Sequence, residues 1–371
     1  QQQQQQQPAT CFKCHSLIVK GHALRIGGQT CHYDCLKCGV CHKNFRGLSS
    51  ATKIVLVQGE AYHRDCYVQN CIPDCCLCKQ RVVRSYIITP FWEEILCEQH
   101  RNAKRCSMCD RVIKLGEGGQ VDERRFACGE CLSTAIISKE QVPDLKKDVL
   151  NMYKKLGISI KGKFPILIVS SDQINAKIRS TKGGIHAGNP KENLLGLCSG
   201  KIYVRPGLMG GVSRSGEVDM IMITSGLPYE FAGAVLAHEY MHAYFRLNKF
   251  FDIAPHIEEG MCNVCGFLWL VRNYKAATSA ITHDQEVKQK PSSGFQSMRN
   301  AFRSQKKQNS MEEVKNVVGE YPKTIQFFIR RYELNPNPTY GEGFRLGVEA
   351  CLKYGLDYVL TFIKKNKDFP P

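Results

Sequence analysis

The sequence predicts two kinds of structure in succession: small β-rich zinc-binding modules, then a larger α+β domain able to bury a core of its own. Three observations carry this expectation. Cysteines and histidines crowd into the first 131 residues in regular C-x-x-C and H-x-x-C pairs. From residue 144 onward those arrays stop, and apolar residues recur at helix and strand spacing. One helical stretch there holds His238-Glu239-Tyr240-Met241-His242, two imidazoles one turn apart with a carboxylate between them.

Residues 1–10 open on seven glutamines, a low-complexity start expected to be disordered. The chain begins without methionine, as a piece of a longer product would. Over 11–70, Cys11, Cys14, His32 and Cys35 form one ligand set and Cys38, Cys41, His63 and Cys66 a second. Only Leu36 and Lys37 separate them, which fuses two knuckles into a LIM-type double finger. A LIM-like pair follows over 71–135: Cys75, Cys78, Cys97 and His100, then Cys106, Cys109, Cys128 and Cys131. Gaps of 17 to 21 residues between ligand pairs leave room for two small hairpins, and each set matches closed, tetrahedral structural Zn²⁺. A secreted disulfide scaffold fits poorly, because histidines stand at ligand positions and no signal peptide is visible. Outside these sets, Cys71, Cys76, Cys198, Cys262, Cys265 and Cys351 read as reduced, buried thiols.

In the 144–371 domain, Gln141 to Leu156 reads as a linking helix with Leu145, Val149, Met152 and Leu156 on one face. Phe164 to Ser170 reads as a buried strand, Asp172 to Arg179 as a short helix, and Ser180 to Asn193 as a Gly-rich loop. A further strand is expected within Gly196 to Arg205. Glu217 to Thr224 is the candidate sheet edge for an extended substrate, with an internal strand as the alternative.

Phe231, Ala234 and Val235 place the next helix in the core, so its histidines are buried rather than set in a polar loop. Two satisfied core histidines are the bland reading; a third donor downstream outweighs it. Glu258-Glu259-Gly260 opens an apolar run through Met261, Val264, Leu268 and Val271. A catalytic zinc needs three protein ligands and an open position, and His₂Glu is a standard set. Glu259 is favoured over Glu258, since Gly260 lets two helices approach closely around the metal. The site thus reads as zincin-like: His238, His242 and Glu259 hold one catalytic Zn²⁺ beside four structural ones, and Glu239 accepts a proton from the activated water. Such a site hydrolyses peptides.

Residues 283–310, rich in Lys, Gln and Ser, read as a solvated, flexible insertion. Helical patterns return at Tyr321 to Tyr332 and Phe344 to Ile363 around a Pro/Gly-rich turn, where Tyr340 and Arg345 are candidates to stabilise an oxyanion. The net charge of +17 raises nucleic acid as a partner, but the basic residues are spread along the chain without interleaved aromatics. Acidic protein segments are the more economical partners. No apolar run is long enough to span a bilayer, and reduced, metal-bound cysteines point to cytoplasm or nucleus.

Together these residues resemble the DA-one family of plant LIM-domain, growth-regulating peptidases. The likeness runs through Cys11 to Cys66, Pro90-Phe91-Trp92 with Cys97 to His100, and Cys106 to Cys131. It continues in Leu236 to Ala243, Glu258 to Gly260, Tyr340 to Arg345 and Lys353 to Leu356. The resemblance implies a latent zinc endopeptidase, switched on by ubiquitylation, that cleaves protein regulators of growth and proliferation. It also implies ubiquitin and ubiquitin ligases as partners, LIM fingers for protein binding, and homo- or hetero-oligomers with family members. Family members carry ubiquitin-interacting helices ahead of the LIM finger, where this chain has only glutamines. The competing expectation is a non-catalytic LIM adaptor of the ubiquitin pathway.

Overall fold

The computed structural model describes residues 10–19, 23–26, 28–45, 53–57, 59–180, 194–206, 211–281 and 321–371. The 283–310 insertion and the glutamine run lie outside the described residues. The chain divides into two compact units, Gln1–Lys104 and Arg105–Pro371.

The first unit is built from one turn used three times. The first cysteine of each knuckle donates its N–H to a carbonyl five residues on: Cys11 to Ser16, Cys38 to Lys43 and Cys75 to Gln80. The residue after the second cysteine donates back to the first, and His15, His42 and Lys79 hold φ of 57°, 58° and 60° to do so. That left-handed geometry wraps the backbone around the sulfurs at a cost of roughly 1–2 kcal/mol per residue. Hairpins complete the modules: β1 (Ala23–Ile26) with β2 (Gln29–His32), β3 (Ile54–Val57) with β4 (Glu60–His63), and β5 (Tyr86–Ile88) with β6 (Ile95–Cys97). Helix α1 (Arg64–Asn70) carries Cys66. Cys31, outside every ligand set, is buried with Leu36, Phe45 and Ala61 in the small core shared by the first two knuckles. Cys71 is exposed and Cys76 half-buried, so these two thiols are not the core residues expected. Cys71 precedes the third knuckle and Cys76 lies inside its Cys75-x-x-Cys78 turn.

The boundary between the units falls between the third and fourth ligand sets, inside the segment that spacing alone groups as a pair. The fourth knuckle repeats the turn, with Cys106 donating to Arg111 and Asp110 at φ 59°, and adds β7 (Gly118–Gln120), β8 (Phe126–Cys128) and α2 (Gly129–Ser133). Polar contacts bind it to the domain that follows. Its outgoing strand β9 (Ala135–Ile136) pairs antiparallel with Leu227–Pro228, and Arg125 donates to the Ser225 carbonyl at 2.8 Å.

Helix α3 (Val142–Lys155) leads into β10 (Ile166–Val169) and α4 (Ser171–Ser180). The sheet has the order β10–β12–β11, with β11 (Gly196–Pro206) antiparallel and β10 parallel to β12 (Val212–Thr224). Glu217 to Thr224 is therefore the centre of the sheet and not its edge. Its second half, through Ile221, Met222 and Ile223, is covered on both faces, as a central strand requires.

After β13 (Leu227–Pro228), helix α5 (Tyr229–Leu247) is buried along nearly its whole length, and α6 (Pro255–Ile281) packs against it. A Cβ on Gly233 would stand 2.2 Å from the Trp269 ring, so the two helices meet there. Gly260 serves a different approach: its Cβ would meet the Gly343 carbonyl at 2.3 Å, at the start of a later helix. That helix belongs to the last group, α7 (Lys323–Glu333), α8 (Gly343–Tyr354) and α9 (Leu356–Asn366). The single helix expected over Phe344 to Ile363 is broken at Gly355, whose φ of 83° a helix cannot continue through.

Candidate metal centre

Helix α5 presents His238 and His242 on one face, and α6 brings Glu259 to meet them. The imidazole Nε2 atoms are 3.1 Å apart, and Glu259 Oε2 lies 3.2 Å from His238 Nε2 and 3.5 Å from His242 Nε2. A tetrahedral Zn²⁺ with bonds of about 2.0–2.1 Å has ligand-to-ligand edges of about 3.3–3.4 Å. The three atoms form such a triangle.

Hydrogen bonds on the far side of each ring decide where the lone pairs point. His242 Nδ1 faces Glu258 Oε1 at 2.8 Å, and a carboxylate only accepts, so Nδ1 carries the hydrogen. His238 Nδ1 faces Asn263 Oδ1 at 2.9 Å, while Asn263 Nδ2 donates to the Tyr340 carbonyl at 3.0 Å. Both Nε2 lone pairs therefore converge with a carboxylate oxygen in a buried space, an arrangement that calls for a cation. The electrostatics of the site likewise favour positive charge there. Burial opposes charge on His242, but Cys262, Glu259 and Glu258 outweigh it and hold its pKa well above the ordinary value. Burial likewise pushes Glu259 up, and the two imidazoles more than reverse this, leaving it well below the usual carboxylate range.

Glu239 is 5% exposed, and its Oε2 finds no hydrogen-bond partner among the described residues. An orphaned buried carboxylate oxygen is costly unless it serves a bound group. Strand β11 passes directly over it: a Cβ on Gly196 would stand 2.5 Å from Glu239 Oε1. Among the described residues, the sheet edge beside the base is thus β11.

The structure brings His238, Glu239, His242 and Glu259 together, with Glu258 turned to the outer nitrogen of His242. Tyr340 enters through its backbone carbonyl, linked through Asn263 to Nδ1 of His238, the nitrogen turned away from the metal position. Arg345 donates to the carbonyls of Glu333 and Asn335, clamping the turn ahead of α8. Cys262 sits closer than expected, with a donor atom within 4.8 Å of those of both histidines, although burial pushes its thiol well above its ordinary range. Asn263 was not singled out by sequence. The spacing from Glu259 by one turn was the signal that could have found it.

In the knuckles, the donor atoms of all four predicted sets converge: Cys11, Cys14, His32, Cys35; Cys38, Cys41, His63, Cys66; Cys75, Cys78, Cys97, His100; and Cys106, Cys109, Cys128, Cys131. Each brings its atoms within 4.8 Å of one another, as a Zn²⁺ site of LIM type requires. The fourth set is wholly buried, while the first three are partly open.

Four Cys/His knuckles ahead of an α/β domain with a buried His/Glu centre define a LIM-type, metal-binding protein. The family model described as "DA1-like: Protein DA1" matches residues 209–366. Protein DA1-related 1 and Protein DA1 of Arabidopsis thaliana are each 27% identical to the chain over 97% of its length, covering 66% and 68% of their own. The rice (Oryza sativa subsp. japonica) LIM domain-containing protein HDR3 is 27% identical over the same share of the chain and 74% of its own. The chain is similar to the DA1 family along most of its length, and spans about two thirds of the length of the first of these relatives.

Proposed function

We propose that the chain is a zinc-dependent endopeptidase of the HExxH-plus-Glu, zincin-like type. One observation carries the reading: two tautomer-fixed imidazoles and the Glu259 carboxylate converge beside buried Glu239, whose Oε2 has no hydrogen-bond partner among the described residues. Zn²⁺ at this centre supplies Lewis acidity toward a scissile carbonyl and a water of lowered pKa. Glu239 takes the proton of the attacking water and returns it to the leaving amine. The edge of β11, unpaired among the described residues and lying over Glu239, offers main-chain hydrogen bonds to an extended peptide. Tyr340 is proposed as the oxyanion-stabilising group.

The substrates we propose are protein regulators of growth, with ubiquitylation as the switch and ubiquitin ligases as partners, on the strength of the family. Nucleic acid is not among the proposed partners. The LIM knuckles bind proteins, oligomers with family members included. None of the described cysteines is joined in a disulfide, which supports a reducing compartment, cytoplasm or nucleus. No described helix is long and apolar enough to cross a membrane.

The test is cleavage of a ubiquitin-pathway protein by wild type and Glu239→Gln, each with and without ubiquitylation, at matched metal content. The wild type should bind five zincs and cleave, and Glu239→Gln should keep all five and lose cleavage. Cleavage by Glu239→Gln at the wild-type rate overturns the assignment. Five zincs without cleavage under any condition would leave a LIM adaptor.

A further inference from the structure

We propose that Asn263 is a positioning residue of the metal centre, tying the ligand His238 to the turn that carries Tyr340. The proposal rests on the zinc reading above. A buried primary amide has one end that accepts and one that donates, and here both ends are committed. The Tyr340 carbonyl can only accept, so the 3.0 Å contact fixes Nδ2 toward it. Oδ1 is then left facing His238 Nδ1 at 2.9 Å, which places the hydrogen on Nδ1 and frees Nε2 for the metal. A reversed amide would set two acceptors against each other at the carbonyl and would move the His238 hydrogen to Nε2, the nitrogen the metal needs. One side chain thus sets a tautomer and anchors a loop.

The loop is built to hold that anchor steady. The Asn337 side chain accepts from the N–H groups of Thr339 and Tyr340 at 2.9 and 3.4 Å, and Gly341 donates to the Asn337 carbonyl at 2.7 Å. The turn over Pro338–Glu342 runs directly into α8, whose first residue Gly343 is wedged against the His256 carbonyl and Gly260. Asn263 is therefore the link between this rigid turn and a first ligand. Its counterpart on His242 is Glu258, a carboxylate; the partner of His238 is neutral. A carboxylate adds basicity to its imidazole, whereas an amide only orients it, so the role of Asn263 is geometric.

Two substitutions separate the two ends of the amide. Asn263→Ala removes both bonds: release of the fifth zinc to a competing chelator should become 10–100-fold easier, and backbone hydrogen exchange over 338–342 should accelerate. Asn263→Asp keeps an acceptor for His238 but cannot donate to Tyr340, so zinc affinity should stay within a few-fold of wild type while the turn still exchanges faster. The four knuckle zincs report folding in each variant. Wild-type zinc affinity in Asn263→Ala overturns the proposal, as does an Asp variant that loses zinc as readily as the Ala variant. Should Asn263→Ala fail to fold, the Asp variant decides alone: a loosened turn with affinity kept supports the link, and an unchanged turn refutes it. A wild type that holds only four zincs refutes the zinc reading itself, and is told apart by metal count before any variant is made.

Discussion

On the proposed reading, the knuckles and the helical centre solve the same problem, holding a cation, in opposite ways. A knuckle takes four donors from one turn and one hairpin, and its backbone N–H groups are spent on the turn itself. The helical centre takes three donors from two long helices and needs Glu258 and Asn263 to aim them. Four donors close a site, whereas three leave a position for chemistry. The first kind is local and repeats; the second depends on how α5 and α6 meet.

The sharpest way to break this comparison is to remove a donor from each kind. His242→Ala should cost one zinc of five and reduce proteolysis to background, with all four knuckle metals kept, as counted by elemental analysis. Loss of knuckle zincs from that variant would mean that the two kinds are not independent.

Next in size is the fourth knuckle, which is a knuckle by sequence but belongs to the second unit. Arg331 donates to the Met108 carbonyl at 3.2 Å, and Thr324 of α7 is held by Glu130 and Arg111. Its strand β9 pairs with the two residues just before α5. Structural zinc binding in small modules is worth on the order of 10 kcal/mol. Cys128→Ser should therefore lower the melting temperature of Arg105–Pro371 by well over 10 °C, while Cys14→Ser leaves that transition in place. Equal effects from the two, read by calorimetry on the full chain, would erase the distinction between the units.

The same contrast explains what the sequence made legible. All four knuckle sets and the His238/His242 pair are written as fixed spacings along one turn or one helix, and the structure brings each set together. The helices around α5 were legible from apolar periodicity. Spacing could not say that Glu217 to Thr224 is central, because a strand buried on both faces and an edge strand can share one short apolar pattern. Nor could it place Gly260, whose neighbour Gly343 is 83 residues away, or show that the fourth knuckle parts from the third. Those are facts of tertiary packing, and local pattern carries no information about them.

Smaller effects are expected where β11 crosses the base. Gly196→Ala would put a methyl 2.5 Å from Glu239 Oε1 and 2.8 Å from Val235 Cγ1. The carboxylate is the softer neighbour and must swing aside, so all five zincs should remain while kcat falls by about 10–100-fold. A variant with normal kcat and a raised KM would instead place Gly196 on the peptide-binding edge alone.

The smallest effect concerns the polar seam between the fourth knuckle and α7. Burial pushes the Glu130 carboxyl up, but the Thr324 hydroxyl and the Arg111 guanidinium outweigh it and leave its pKa below the ordinary value. A carboxyl depressed in the folded state stabilises above its unfolded pKa of about 4.3, and that contribution is lost only as pH falls through the lower folded value. Half of the Glu130 side chain is exposed, so the pair is screened and worth under about 1 kcal/mol. A double-mutant cycle of Arg111→Met and Glu130→Gln should give a coupling of that size, equal at pH 7 and pH 5 because the carboxyl stays ionised at both. Coupling that disappears by pH 5 would show that the fourth knuckle does not hold Glu130 against α7, and would leave β9 and Arg125 as its attachments to the metal-binding domain.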